Sequence, residues 1–245
     1  MSGAGASRLL EVCVDDPAGL EAAIRGGADR IELCSALALG GLTPSEGFMR
    51  LAAGAPVPVY AMIRPRGGDF VFSESEADSM LRDIEAAREA GLAGVVLGAG
   101  QADGRLDLAL LERLAAASAG LGRTLHRAFD LTAPDFETAL EEAIDLGFER
   151  VLTSGGARSA PDGISVLERL FERAGGRIAI MPGSGVTLAT LPGLLGRLPI
   201  QEVHASCSAP ATLRSRAAER LGFAGKGDRR TDEATVRALK AVLLA

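Results

Sequence analysis

The sequence of 245 residues contains no tryptophan and a single tyrosine, so its core must be built mainly from aliphatic side chains. It has no excess of basic residues either. The 26 Lys and Arg side chains are outnumbered by 32 Asp and Glu side chains, and the formal net charge is −6. A nucleic-acid-binding surface would require the opposite balance, so we expect no nucleic-acid partner.

Long apolar segments, targeting signals and cysteine frameworks are missing as well. The longest apolar run, Leu51 to Ile63, is too short to span a bilayer and contains two prolines. The segment Met1 to Arg8 lacks the basic-then-apolar pattern of a secretory signal. Three cysteines are an odd number and do not form a disulfide framework. We therefore expect a cytoplasmic protein with no membrane partner.

What the sequence does contain is a regular alternation of short β-type runs and helix-type runs. Gly26-Gly27, Gly91 and Gly147 each end a helix-type run shortly before the next β-type run. This pattern is typical of consecutive βα units. Eight strands, each followed by a helix, predict an α/β fold with a closed (β/α)8 TIM barrel. A doubly wound open sheet is the alternative, although no G-x-G-x-x-G motif follows the first strand.

We expect a single domain over residues 1–245, with a flexible N-terminus at residues 1–7. A basic segment at residues 209–230 fits neither pattern and is interpreted as a solvated face or mobile loop. Its cations are Arg214, Arg216, Arg220, Lys226, Arg229 and Arg230. The strands are predicted at residues 9–14, 29–34, 57–63, 94–97, 123–129, 150–153, 177–181 and 202–206.

The segment Met62–Phe70 follows the third predicted strand, which Pro65 should end near Arg64. Gly67-Gly68 then allows a sharp turn. Arg64 and Arg66 are thereby held at the carboxyl end of a strand, which is where barrels bind ligands. Their guanidinium groups suit a carboxylate or a phosphate. The alternative is that both arginines pair with carboxylates inside the fold.

Alternation of side chains along each strand places an unusual set of polar residues on the barrel axis. In the first strand Leu10, Val12 and Val14 form the helix-facing set, which leaves Glu11 and Cys13 inside. Buried charges persist only when they are paired, so we expect a network of glutamates and arginines. The inward set contains Glu11, Arg30, Glu32, Arg64, His126, Glu202 and His204.

The chain has only two histidines, His126 and His204, and both fall in the inward set. An imidazole with a pKa near 6.5 could move a proton at neutral pH, assisted by Glu11 or Glu32. The alternative is a pair of hydrogen-bonded core histidines. The first interpretation predicts a lyase or isomerase acting on a small anionic, possibly phosphorylated, sugar-like substrate, because no nucleophile elbow or zinc motif is present. Its substrate-binding residues would be Arg30, Arg64, Arg66, Asp130, Gly183, Ser184 and Gly185.

Two of the thiols suggest a different chemistry. Cys13 and Cys34 are predicted at equivalent inner positions of adjacent strands, about 4.8 Å apart. Soft thiolate ligands select Cu(I), and Met62, Met181 or Cys207 could add a further ligand. Buried cysteine is also an ordinary core residue, and no C-x-x-C spacing is present.

Seven motifs, in this order along the chain, resemble those of the CutC family. They are Leu10-Glu11-Val12-Cys13-Val14-Asp15, Ala28-Asp29-Arg30-Ile31-Glu32-Leu33-Cys34-Ser35, Gly40-Gly41-Leu42-Thr43-Pro44-Ser45, Met62–Phe70, His126-Arg127-Ala128-Phe129-Asp130, Leu152-Thr153-Ser154-Gly155 and Met181-Pro182-Gly183.

This resemblance covers essentially the whole chain and implies a cytoplasmic TIM barrel with a role in copper tolerance and homeostasis. It also implies a homo-oligomer, a dimer or a tetramer. Cys13 and Cys34 occupy the positions of the family's proposed Cu(I)-binding cysteines. The leading hypothesis is therefore a cytosolic copper-handling protein that binds Cu(I), with the enzyme described above as the alternative.

Overall fold

The computed structural model describes residues 8–212, 215–223, 225 and 227–245. Residues 1–7, which were predicted to be flexible, lie outside the described residues. The same holds for Arg214 and Lys226 of the basic segment. The strands of its central sheet are β1 (Leu9–Val14), β2 (Arg30–Leu33), β3 (Val59–Met62), β4 (Gly94–Leu97), β5 (Gly122–Leu125), β6 (Arg150–Thr153), β7 (Ala179–Pro182) and β8 (Glu202–Ala205). They are hydrogen-bonded in the order β7-β6-β5-β4-β3-β2-β1-β8. The two outer strands, β7 and β8, lie side by side, so the parallel sheet nearly closes into the predicted TIM barrel.

Helices surround this barrel, and their ends follow the capping signals of the sequence. Asp16 accepts a hydrogen bond of 2.7 Å from the Gly19 N–H, and Gly27 ends the first helix in the left-handed conformation at φ +93°. The helices are α1 (Pro17–Gly26), α2 (Glu46–Ala52), α3 (Glu74–Glu89), α4 (Leu108–Ala117), α5 (Phe136–Asp145), α6 (Ile164–Ala174), α7 (Leu191–Leu195), α8 (Arg216–Arg220) and α9 (Glu233–Leu244).

Three segments differ from the sequence-based expectation. The predicted fifth strand ends at Leu125 instead of Phe129, because the His126 ring accepts the Ala128 N–H and starts a 3-10 turn. Helix α2 was not predicted, since its seven residues are too few to show a helical period. In the basic segment, β9 (Ser208–Pro210) and β10 (Arg229–Thr231) form an antiparallel pair.

The barrel interior combines a small apolar cluster with charged side chains. Cys34, Tyr60, Met62 and Val96 form the apolar cluster, apart from the larger core between the strands and the helices. Below this apolar cluster, the buried arginine and glutamate side chains pair with one another, as predicted.

In that lower layer Arg30 contacts the carboxylates of both Glu11 and Glu202. Arg150, which the sequence analysis did not include, donates a 3.0 Å hydrogen bond to Glu202. Arg64, which was expected to join this network, makes no ion pair among the described residues. The lower half of the barrel interior is therefore occupied by a paired network.

We expect Arg30→Met to lower the free energy of unfolding by about 3–5 kcal/mol, because it leaves the buried Glu11 carboxylate without its cation. Urea denaturation followed by circular dichroism measures this change. The control is Arg25→Met, which removes a cation that pairs with Glu21 and Glu233 in an exposed position. Equal, small effects of the two substitutions would show that the buried network does not stabilise the barrel.

Candidate functional site

A cavity of about 680 Å³ opens at the carboxyl end of the barrel strands. This volume suits a small-molecule ligand. The polar residues that line it include Cys13, Glu32, Arg64, His126, Ser184 and His204. Glu11, Arg30 and Glu202 lie below it in the paired network, so they support the floor of the cavity and do not line it.

Three metal-ligating side chains converge on that floor. The register of β1 against its neighbours places Cys13 opposite Glu32 and Glu11 opposite His204. One ligand atom from each of Cys13, Glu32 and His204 lies within 4.8 Å of the others, and all three residues are buried. The sequence analysis had named each of the three residues, but not as one cluster.

The orientation of the His204 ring follows from the network beneath it. His204 Nδ1 lies 2.8 Å from Glu11 Oε1, and Nε2 lies 3.8 Å from Glu32 Oε2. A carboxylate that holds one imidazole nitrogen and directs the other toward a ligand is the usual arrangement around a metal-binding histidine. It is equally the arrangement that orients a catalytic base.

Burial and neighbouring charges shift the proton affinities of this cluster. Burial would lower the pKa of His204, but the adjacent Glu32 carboxylate and Cys13 thiol hold this pKa well above its usual value. Burial raises the pKa of Glu32 and that of Cys13. For Glu11, burial is outweighed by Arg30 and His204, which lower the pKa to about 2. Glu32 and His204 are therefore neighbouring groups that can exchange a proton, while Glu11 stays ionised.

Cys34 lies in the apolar cluster, offset along the barrel from the position that the sequence analysis expected. In the register of β1 against β2, Cys13 lies opposite Glu32, so Cys34 lies two residues beyond the position opposite Cys13. The expectation that the two cysteines occupy equivalent positions was wrong. The Cys34 Sγ atom lies 3.5 Å from Glu32 Oε2. Burial, followed by the Glu32 charge, raises the pKa of Cys34 well above its usual value. Cys34 thus borders the three-residue cluster without belonging to it.

Arg64 lies at the cavity wall and is only 5% exposed. Its guanidinium group donates hydrogen bonds to the carbonyl oxygens of Leu39, Gly41 and Gly68 at 3.0, 3.1 and 2.8 Å. Its Cζ atom lies 4.8 Å from the centre of the Phe70 ring. The structure shows no carboxylate partner for it among the described residues, so Arg64 brings an uncompensated positive charge to the cavity.

Arg66, by contrast, lies outside the cavity lining. It donates a 3.0 Å hydrogen bond to Asp69 and also pairs with Glu76 at the start of α3. Strand alternation would have put Arg64 and Arg66 on the same face, but β3 ends at Met62 and the chain then turns. Arg66 is therefore not placed to bind an anion in the cavity, and anion binding by Arg64 stays a prediction.

The His126 ring accepts a backbone hydrogen bond and lies in surroundings that disfavour its protonation. Its Nδ1 atom accepts the Ala128 N–H at 3.2 Å, which places the ring proton on Nε2. Burial, followed by the nearby charge of Arg64, lowers the pKa of His126 to about 3. The ring packs against Phe70 in a tilted arrangement, with 4.8 Å between the ring centres and 45° between the ring planes.

Asp130 and Gly183, two of the predicted substrate-binding residues, are already engaged within the fold. Asp130 accepts hydrogen bonds from the N–H groups of Ser154 and Gly156 and is paired with Arg127. The Gly183 N–H donates to the Thr153 carbonyl at 3.0 Å. Neither group is available to a ligand in this geometry.

Ser184 and Gly185 do line the cavity, in left-handed conformations at φ +67° and +71°. The Ser184 hydroxyl donates to the Arg158 carbonyl at 2.8 Å. Phe70, which the sequence analysis left unassigned within its motif, contacts both Arg64 and His126. In the sequence, only the position of Phe70 two residues after the Gly67-Gly68 turn could have indicated these contacts.

Comparison with known proteins agrees with the resemblance seen in the motifs. The model of the CutC family matches residues 8–209. The chain belongs to the CutC family. A CutC family protein of Rhizobium meliloti is 62% identical over 234 residues, which cover 96% of this chain and 95% of the relative. A CutC family protein of Vibrio campbellii is 55% identical over 200 residues, covering 80% of this chain and 81% of the relative.

Among solved structures, a CutC from Streptococcus agalactiae, provisionally assigned to copper homeostasis, is 32% identical with a TM-score of 0.78. The match covers 81% of this chain and 98% of that protein. More distant structures with a similar fold include the 2-keto-3-deoxy-6-phosphogluconate aldolase of Zymomonas mobilis, at 20% identity and a TM-score of 0.55. This match covers 98% of this chain and 92% of that one. At this identity the likeness concerns the fold alone. Among the described residues, no helix has the length and apolar character needed to cross a bilayer.

The two histidines offer a direct test of the site's electrostatics. We expect the His126 ring to stay neutral down to a pH of about 3. We expect the His204 ring to stay protonated above pH 6.5, the usual pKa of histidine. Nitrogen-15 NMR of histidine-labelled protein would follow both rings, with His126→Gln assigning the signals. Two rings that titrate together near pH 6.5 would contradict the described environments.

Proposed function

We propose that this protein handles copper by binding Cu(I) as cargo in the cavity at the carboxyl end of the barrel. The observation that carries this proposal is the cluster of Cys13, Glu32 and His204, whose ligand atoms lie within 4.8 Å of one another. Membership of the CutC family and the provisional copper assignment of the Streptococcus agalactiae structure support the choice of metal.

The donor set fits a soft or borderline metal ion. A Cys13 thiolate and the His204 Nε2 atom are ligands that copper and zinc accept, whereas Glu32 is a harder donor. Cys34, 3.5 Å from Glu32, and the thioether of Met62 lie in the adjoining apolar cluster and add the soft sulfur that Cu(I) prefers. Glu11 holds the His204 ring from behind, as a carboxylate does behind a metal-binding histidine.

The family resemblance also supports a cytoplasmic protein that forms a homo-oligomer, a dimer or a tetramer. The three cysteines are free and buried, in keeping with a reducing compartment. Sedimentation of the purified protein would measure the oligomeric state directly.

Competition with a chromophoric Cu(I) chelator tests the copper proposal. We expect Cys13→Ser and Cys34→Ser each to weaken Cu(I) binding at least tenfold, which is about 1.4 kcal/mol. The control is Cys207→Ser, because this thiol is buried but lies outside the three-residue cluster. Unchanged affinity in both Cys13→Ser and Cys34→Ser, or equal losses in all three variants, would exclude a Cu(I) site formed by these two thiols.

A second function, catalysis of proton transfer on a small anion, is favoured by a separate observation. Arg64 brings an uncompensated charge to the same cavity in which Glu32 Oε2 lies 3.8 Å from His204 Nε2. A cation that binds the anionic group and a carboxylate with raised pKa that removes a proton are the parts of a lyase or isomerase site.

Exchange of substrate protons with deuterated water tests this second function. A panel of sugar acids and sugar phosphates would be incubated with the protein and followed by proton NMR. We expect loss of signal at a carbon next to the carbonyl group, slowed about 10²-fold or more by Glu32→Gln. Glu46→Gln, on the exposed face of α2, is the control. Exchange at equal rates in both variants would exclude Glu32 as the base.

A further inference from the structure

Three buried side-chain atoms have no hydrogen-bond partner among the described residues, and all three belong to residues that line the cavity. They are Glu32 Oε1, Arg64 Nε and His126 Nε2. Their side chains are 3%, 5% and 3% exposed. Buried polar atoms are normally paired, and an unpaired one is costly. Three such atoms around one cavity indicate a ligand that supplies the missing partners.

The chemistry of the three atoms defines what that ligand must offer. Arg64 Nε is a donor, and His126 Nε2 is also a donor because Nδ1 of that ring accepts the Ala128 N–H. Glu32 Oε1 is an acceptor, whereas Oε2 of the same group already faces Cys34 and His204. The ligand therefore presents acceptor oxygens to Arg64 and His126 and a donor, such as a hydroxyl group, to Glu32.

The two donors form one end of the site. The centre of the Phe70 ring lies 4.8 Å from Arg64 Cζ and 4.8 Å from the centre of the His126 ring, so both donor side chains pack against this one aromatic ring. The charge of Arg64 also contributes to the lowered pKa of His126, as expected for close neighbours.

A short chain of contacts joins this end to Glu32. The Arg64 side chain donates to the Gly41 carbonyl at 3.1 Å, and a Cβ atom added at Gly41 would lie 3.1 Å from Cys34 Sγ. Cys34 Sγ in turn lies 3.5 Å from Glu32 Oε2. The donors and the acceptor thus lie on the wall of one cavity of about 680 Å³, which a small molecule can span.

We propose that the cavity binds a small hydroxylated carboxylate, such as a sugar acid, with its carboxylate at Arg64 and His126 and a hydroxyl group at Glu32. The inference deepens the second proposed function and uses the same cavity, but it concerns binding alone. A carboxylate is favoured over a phosphate because three of the four terminal N–H groups of Arg64 donate to carbonyl groups. The Nε–H and one Nη2–H group of Arg64 remain, together with the His126 Nε2–H group, and a planar guanidinium edge of this kind matches the two oxygens of a carboxylate.

Isothermal titration calorimetry of the metal-free protein with three six-carbon compounds tests this inference. Gluconate carries both the carboxylate and the hydroxyl groups, hexanoate lacks the hydroxyl groups, and glucitol lacks the charge. We expect gluconate to bind at least tenfold more tightly than either of the others. This comparison needs no variant, so it does not depend on the folding of a mutant.

A matched pair of arginine substitutions then locates the site. Arg64→Gln should weaken gluconate binding at least tenfold, whereas Arg66→Gln, which alters the arginine outside the cavity, should leave it within twofold. Thermal unfolding of both variants confirms that they are folded, and a crystal soaked in gluconate should show the carboxylate at Arg64.

Equal binding of hexanoate and gluconate would overturn the proposed hydroxyl contact. Equal binding of glucitol, or gluconate binding that survives Arg64→Gln, would overturn the proposed anion contact. Inorganic phosphate that binds as tightly as gluconate would overturn the choice of a carboxylate. Because the titration contains neither copper nor turnover, its outcome is independent of both experiments on the proposed functions.

Discussion

The pairing of charges inside the barrel is the interaction on which the rest of this structure depends. Arg30 contacts both Glu11 and Glu202, and Arg150 adds a second cation to Glu202. Without these partners the barrel could not hold buried carboxylates, whose desolvation costs several kcal/mol each. The same pairing lowers the pKa of Glu11 to about 2, so its carboxylate stays ionised and holds the His204 ring in one orientation. The lower network therefore stabilises the barrel and positions a functional group above it.

The upper half of the barrel is organised differently, because its polar groups are not balanced by one another. Glu32 and His204 lie 3.8 Å apart above the paired network, and among the described residues Arg64 is compensated only by carbonyl oxygens and the Phe70 ring. Groups in this condition reduce stability and persist where a ligand completes their interactions. A metal ion at Cys13 and an organic anion at Arg64 would occupy different parts of the same cavity, but both would contact Glu32, so the two proposed functions compete for this carboxylate.

Sequence reasoning located the interior of the barrel well, because alternation along a strand is a local property. Glu11, Glu32 and His204 were predicted to face inward, and they do. The predicted position of Cys34 was wrong because the register between strands depends on the stagger of the whole barrel. This stagger cannot be read from the sequence of a single strand. Arg66 was wrongly expected in the cavity because strand alternation ends where the chain turns, after β3.

The sequence also could not show which backbone N–H groups are free to bind a ligand. Gly183 was expected to offer its N–H to a ligand, but sheet pairing uses that group. The unpartnered atoms of Glu32, Arg64 and His126 emerge only when every contact of the barrel is known. The family resemblance, which covers nearly the whole chain, indicated the fold and the cysteine positions but not this pattern of missing partners.

Arg30 and Arg150 are paired with carboxylates inside the barrel, whereas Arg64 has no carboxylate partner among the described residues. Anomalous diffraction from crystals soaked in bromide detects this difference, because bromide binds where positive charge is uncompensated and accessible. We expect a bromide peak in the cavity beside Arg64 and His126, and none beside Arg30 or Arg150. A peak at the lower arginines, or a cavity without bromide at Arg64, would contradict this expectation.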